Sequence, residues 1–140
     1  MHWPEPQRLT EAQQDPTGIQ DTALTAGANI ASAEIDNRDG RLTRLALVAE
    51  WINAGAATAG GLINAHLIHA LDGNYEDGAA AVDPHTTPAA IFRDNAGTGR
   101  QRQAEIGILI GPFRFKVLLV SELSQNSTVR LAAYRYALER

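Results

Sequence analysis

The sequence predicts an all-β domain, an antiparallel sandwich or barrel behind an extended N-terminal arm. Two observations carry the fold class. From Asp21 onward, short apolar runs alternate with turn residues at close to the roughly 8–12-residue spacing of such folds. The later runs also alternate apolar and polar residues with a period of two. A third observation sets the arm apart: Met1 to Asp21 carries Pro4, Pro6 and Pro16 among Gln, Glu, Asp and Thr, too polar to bury a core of its own. The expected division is therefore an arm over residues 1–21 and one β domain over residues 22–140, with Trp3 and Leu9 as the arm's sizeable apolar anchors.

The elements follow in order. Asn29 to Ile35 reads as a strand, closed by Asn37-Arg38-Asp39-Gly40, whose residues adopt turn geometry at low cost. Leu42 to Ile52 and Leu62 to Leu71 are apolar runs that fit a strand, and also a helix, since Leu45, Val48, Ala49 and Ile52, or Ile63, Leu67, Ala70 and Leu71, fall on one helical face. The strand reading is preferred, because Gly55, Gly60 and Gly61 separate them and Asp72-Gly73 closes the second, as in a strand pair joined by a long loop. Ala89 to Arg93 follows, then Asp94-Asn95-Ala96-Gly97 as a turn.

Gln103 to Ile110 gives the clearest alternation, with Ala104, Ile106, Ile108 and Ile110 predicted to face inward. Phe113 to Ser121 alternates as far as Lys116 and then becomes apolar on both faces. Gly111-Pro112 joins these two strands closely enough to suggest a hairpin. In Thr128 to Leu138 the apolar parity changes, from Val129, Leu131 and Ala133 to Tyr134, Tyr136 and Leu138, so a β-bulge near Ala132 is expected.

Composition bounds the function. A chain of 140 residues, 44% hydrophobic, is one core's worth of sequence. Twelve Lys plus Arg against sixteen Asp plus Glu give a net charge of −4, which argues against blanket neutralisation of nucleic-acid phosphates. There is no cysteine for a disulfide or thiolate site. The first residues lack the basic start and apolar run of a secretory signal, and the longest apolar stretch, broken by Asn64, His66 and His69, is too short to span a bilayer. The protein is expected to stay in the cytoplasm where it is made, away from membranes.

The chemical motifs are weak. His66 and His69 have metal-ligand spacing on a helix, but on a strand they point to opposite faces, and no further ligand is evident. Asp72, Asn74 and Glu76, with Asp83 at position twelve, partly match a calcium loop, yet Asp77 replaces its glycine and Asp83 its glutamate. Asp72-Gly73 and Asp77-Gly78 also read simply as turns. No serine lies in a nucleophile elbow, and Asn95-Ala96-Gly97-Thr98-Gly99-Arg100 has no helix behind it to cradle a phosphate. An enzyme is not expected, nor is a cofactor or metal. Asn126-Ser127-Thr128 matches a glycosylation acceptor and reads more simply as a turn. What remains is surface: Arg93, Arg100 and Arg102 about one loop, with Arg114 and Lys116 on a nearby outward face, form a basic patch suited to an acidic partner. Tyr75, Trp51 and Tyr134 are candidates for a sugar-stacking platform.

The segment from Leu67-Ile68-His69-Ala70-Leu71-Asp72-Gly73-Asn74-Tyr75-Glu76-Asp77-Gly78 through Val82-Asp83-Pro84 and Pro88-Ala89-Ala90-Ile91-Phe92 resembles small structural proteins of tailed phages. Gln101-Arg102-Gln103 and Ile110-Gly111-Pro112-Phe113-Arg114-Phe115-Lys116-Val117-Leu118-Leu119 extend the likeness over most of the second half of the chain. Length and strand pattern are most similar to the jelly-roll capsid cement, or decoration, proteins. The resemblance implies a jelly-roll-like antiparallel β-sandwich of about eight strands. It also implies a place on the virion's capsid surface, cementing neighbouring capsomers, with the major capsid protein and a second copy of the chain as partners. The matching positions look like turns and hairpins and carry no ligand or catalytic residue across. Trp3, Leu9, Arg93, Arg100 and Arg102 are then the expected contacts to the capsid. A carbohydrate-binding or tail- or fibre-associated sandwich is the alternative.

Overall fold

The computed structural model describes residues 7–8, 17–40, 42–55, 61–75, 86–95, 97 and 99–136. The described residues form eleven strands and no helix: β1 (Gln7–Arg8), β2 (Thr22–Leu24), β3 (Asn29–Ala31), β4 (Ile35–Asp36), β5 (Arg44–Asn53), β6 (Leu62–Leu71), β7 (Asn74–Tyr75), β8 (Ala90–Arg93), β9 (Gln101–Leu109), β10 (Arg114–Ser121) and β11 (Ser127–Tyr136). All pairings are antiparallel. One sheet runs β1-β11-β5-β9 with β2 also on β11, and the other runs β3-β10-β6-β7 with β4 on β10 and β8 on β6. This is the all-β antiparallel sandwich expected from the sequence.

Its core lies between the sheets. Leu45, Leu47, Ala49 and Trp51 of β5, with Val129, Leu131 and Ala133 of β11, face Ile63, Ala65 and Leu67 of β6 and Phe115, Val117 and Leu119 of β10. Period-two alternation puts each set on one face, and full burial of one such aliphatic or aromatic side chain contributes about 1.5–3 kcal/mol. β6 matches the expected strand residue for residue, despite its helical pattern. Three neighbours, β10, β7 and β8, satisfy its backbone as a strand, and that tertiary pairing outweighs local propensity.

Both connections read as joining paired strands are instead crossovers. β5 and β6 lie in different sheets, as do β9 and β10. Gly111-Pro112 is therefore a corner from one sheet to the other, tightened by the Phe113 amide donating to the Gly111 carbonyl at 2.9 Å. A Cβ at Gly111 would stand 3.0 Å from the exposed Phe113 ring, so a side chain there would have to push that ring aside.

The expected bulge is also displaced. β11 pairs with β5 without a break from Ser127 to Tyr136, and Tyr134 stays on the outer face. The register shift falls in β9, where Ile106 and Gly107 together oppose Ala46, between the pairs Leu47↔Glu105 and Leu45↔Ile108. Gly107 has φ +84°, which an L side chain resists. The extra residue reverses the parity of β9. Ile108 is buried as predicted, but Ala104 and Ile106, predicted to face inward, are exposed.

The core reaches further toward the N-terminus than composition suggests. Thr17 and Ile19 are buried, Thr17 Oγ1 donates to the Leu131 carbonyl at 2.6 Å, and Leu131 N–H donates to the Ile19 carbonyl. Together with β1 and β2, these residues cover the free edge of β11. On the other sheet, the expected strand Asn29 to Ile35 is split into β3 and β4 along β10. Between them the Ser32 amide donates to the Val117 carbonyl, and Ser32 Oγ accepts the Val117 amide, both at 2.8 Å. A hydroxyl thus continues the ladder where the backbone leaves it.

Candidate functional site

On the opposite side of the sandwich the sheets meet along a seam between β9, an edge strand, and β8 with the Thr86–Ala89 segment before it. The bulge turns Gln101 and Gln103 inward, onto the face of Trp51 and Ala49. Gln103 Oε1 accepts the Arg93 amide at 2.8 Å, and its Nε2 donates to the Arg93 carbonyl at 2.5 Å. One side-chain amide meets the same two groups that a neighbouring strand would meet. Gln101 acts likewise, accepting the Asn95 amide at 2.8 Å and donating to Asp94. Asp94 is buried and takes further hydrogen bonds from Trp51 Nε1 at 3.1 Å and Asn53 Nδ2 at 3.0 Å. This polar node closes one end of the seam. Asp94 read as an ordinary turn residue; an Asp ahead of two glutamines of equal parity was its sequence signal.

At the other end the described residues leave a gap between the sheets. Beyond the bulge, Leu67, His69, Thr86, Thr87, Ala89, Gly107, Ile108 and Leu109 line a cleft of about 390 Å³. His69 stands edge-on to Phe113, with ring centroids 6.0 Å apart, and near Phe115 at 6.2 Å. Along the same edge β9 exposes Ile106 (70%) and Leu109 (68%), and the corner after it exposes Phe113 (40%). Three of the six large apolar side chains exposed among the described residues, the others being Ile52, Leu71 and Ile91, thus lie on β9 and its corner, a surface suited to docking.

The predicted charge patch takes a different form. Arg100 and Arg102 lie on the outer side of the β9-β5-β11 sheet, 3.5 and 3.1 Å from the Glu50 carboxylate. Arg130, which the sequence did not single out, pairs with Asp21 at 2.6 Å, and Asp21 also lies 3.9 Å from Arg100. Three cations therefore share two carboxylates across a sequence separation of 109 residues. The patch is a mixed network with a small positive excess. Val48, Glu50, Arg102, Arg130, Ala132 and Tyr134 enclose a shallow pocket of about 100 Å³ beside it.

Arg93 is exposed on β8, in the other sheet, and Arg114 and Lys116 also belong to that sheet. There Arg114 lies 3.8 Å from Glu34, Lys116 sits 4.5 Å over the Tyr75 ring, and Tyr75 donates to Glu34. Burial, reinforced by that hydrogen bond to a carboxylate, pushes the Tyr75 phenol well above its usual range. Close by, the bidentate Arg38 guanidinium holds Asp36 down at about 2. The expected cluster of Arg93 with Arg100 and Arg102 is thus divided between two sheets. Trp3 and Leu9 lie outside the described residues.

The remaining motifs separate. His66 and His69 take opposite faces of β6, as the strand reading requires, and His66 Nδ1 lies 3.3 Å from Thr86 Oγ1. Desolvation lowers the His66 pKa below its ordinary value. Asp72 and Gly73, with φ +53° and +79°, form the two-residue turn between β6 and β7. Asp72 is therefore a turn residue, while Glu76, Asp77 and Asp83 lie outside the described residues. Among the described residues no group of three or more His, Asp or Glu could hold a metal ion. Trp51 is fully buried and Tyr75 and Tyr134 lie on different sheets, so the three aromatic residues form no common platform. Asn126 acts in a turn: its Oδ1 accepts the Ala26 amide at 3.0 Å and its carbonyl accepts that of Ala54 at 2.8 Å. No protein-family model matches the chain, and no curated protein matches it significantly.

Proposed function

We propose that this chain is a virion structural protein that binds the outer surface of a tailed-phage capsid and cements neighbouring capsomers, with the major capsid protein as its partner. The observation that carries this reading is the apolar surface of β9 and its corner, where Ile106, Leu109 and Phe113 stand exposed on the side where the described residues form no backbone ladder between the sheets. Two further features fit it. The Pro112-Phe113 corner and β10 carry much of the phage-protein resemblance, and the Asp21-Glu50-Arg100-Arg102-Arg130 network offers charges of both signs to fix register on a partner. A cement protein acts as a native-state ligand of the mature lattice, and many modest contacts stabilise a closed shell together. In this reading the chain has no catalytic role.

Binding of the purified protein to expanded and unexpanded tailed-phage capsids tests the proposal. Selective, saturable occupancy of expanded capsids, lost in an Ile106→Glu/Leu109→Glu variant that still folds, is the expected result. Absence of binding to either form, or full occupancy by the double variant, overturns it.

A further inference from the structure

We propose that the outer face of the β9-β5-β11 sheet holds a site for the carboxylate of a partner protein's aspartate or glutamate, taken by the guanidinium of Arg102. Register builds the site in rows across three strands. Glu50 opposes Arg102 on one side and Arg130 on the other, and the next row on that face is Ala104, Val48 and Ala132. Cross-strand partners share a face, so two long cations and one carboxylate stand beside a floor of three small side chains. Tyr134, two residues beyond Ala132 on β11, completes the pocket of about 100 Å³.

The charges leave one guanidinium to serve a ligand. Glu50 accepts from Arg102 Nε at 3.1 Å and lies 3.5 Å from Arg100 Nη1, while Asp21 lies 2.6 Å from Arg130 and 3.9 Å from Arg100. Arg100 therefore bridges the two carboxylates, and three cations face two anions. The Arg102 side chain, 64% exposed, makes no other hydrogen bond or ion pair among the described residues, so its Nη1 and Nη2 form an unengaged fork. Glu50 holds that side chain by Nε, which orients the fork before a ligand arrives. Paired N–H groups match the two oxygens of a carboxylate, and a single excess charge suits a monoanion better than a phosphate dianion.

The small size of the pocket makes the occupant one side chain of a larger molecule. Sites for free small molecules enclose roughly 300–1,000 Å³. At roughly 30 Å³ per water-sized group, this pocket holds about three heavy atoms, the size of a carboxylate. The rest of the ligand must then lie on the sheet. From Ala104 to Ala132 the floor crosses two strand spacings, about 10 Å, which about three residues of extended chain span. The whole chain carries a net charge of −4, so its overall field opposes an acidic ligand and saturable binding has to be local. The proposal rests on this face alone and not on capsid binding.

The test titrates isotope-labelled full-length protein with a capped pentapeptide bearing one central glutamate between alanines, with its glutamine counterpart and with sodium acetate. The amide signals of Val48, Ala104 and Ala132 report binding. The expected result is saturable shifts with the glutamate peptide, and affinity at least about tenfold weaker for the glutamine peptide and for acetate. Arg102→Gln should weaken the glutamate peptide by a similar factor with an unchanged thermal midpoint, and Arg102→Lys should restore little, because an ammonium lacks the fork. Arg93→Gln, which removes an exposed cation from the other sheet, should leave binding as it was. Equal affinity for the glutamate and glutamine peptides overturns the proposal, as does undiminished binding by either Arg102 variant. Shifts that never saturate overturn it as well. Acetate binding as tightly as the peptide also overturns it, by showing a site for small free anions only.

Discussion

The two long sides of the sandwich are finished by different means. On one side, backbone seals the edges: β1, Thr17 to Ile19 and β2 lie along β11, while β3, Ser32 and β4 lie along β10. On the other, β9 and β8 come together without forming a ladder, and Gln101 and Gln103 bridge part of the seam with side-chain amides. Backbone sealing leaves little for a partner to use. Side-chain bridging stops where the glutamines stop, and the bulge at Gly107 then turns the strand so that apolar residues face water. Such a bulge also breaks the flat register that edge-to-edge aggregation needs. The open side thus carries apolar docking residues without presenting a regular edge.

Five measurements bear on this contrast. Trp51→Ala should have the largest effect, lowering unfolding free energy in urea by about 3–5 kcal/mol, since it empties a fully buried site and removes a donor to Asp94. Ser32→Ala on the sealed side should cost about 1–3 kcal/mol by leaving the Val117 amide buried without its acceptor. Gln103→Ala on the seam should cost about 1 kcal/mol, because water can replace it at a more exposed position, and should speed hydrogen exchange at the Arg93 amide. If Gln103→Ala proved as costly as Ser32→Ala, the two sides would not differ as described.

The fourth is a pH effect at His66, beside Thr86. Its folded pKa lies below the unfolded value of about 6.5, so the unfolded chain takes up the proton first as pH falls. Stability should therefore be full above about pH 6.5 and decline as pH falls below it, and His66→Gln should flatten that decline in thermal melts. The smallest effect belongs to Arg102→Ala. Its ion pair with Glu50 is largely exposed, so the melting temperature should change by no more than a loss of about 0.5 kcal/mol would produce.

Much of this fold was legible as separate pieces. Strand alternation and turn residues located β5, β6 and β8 to β11 to within about two residues of their bounds, because strand formation needs only a local apolar pattern between breakers. The candidate site was less legible. Arg100 and Arg102 were singled out, but their carboxylate partners Glu50 and Asp21 are remote in sequence and meet them only through pairing of β5 with β9 and β11 with β2. The cleft was invisible for the same reason, since His69, Thr86 and Ile108 become neighbours only when the sheets stack.

By itself, the sequence determined that the chain is all-β, which segments are strands, and that turns fall at Asp72-Gly73 and Gly111-Pro112. These depend on residue period and on backbone preferences acting over a few positions. Tertiary structure decided which strands pair, since a short connection serves a hairpin or a sheet-to-sheet corner equally well until core packing chooses. It also decided which face of β9 is buried, because one inserted residue at Gly107 exchanges the faces of every residue before it, and only the partner strand fixes where the insertion lies.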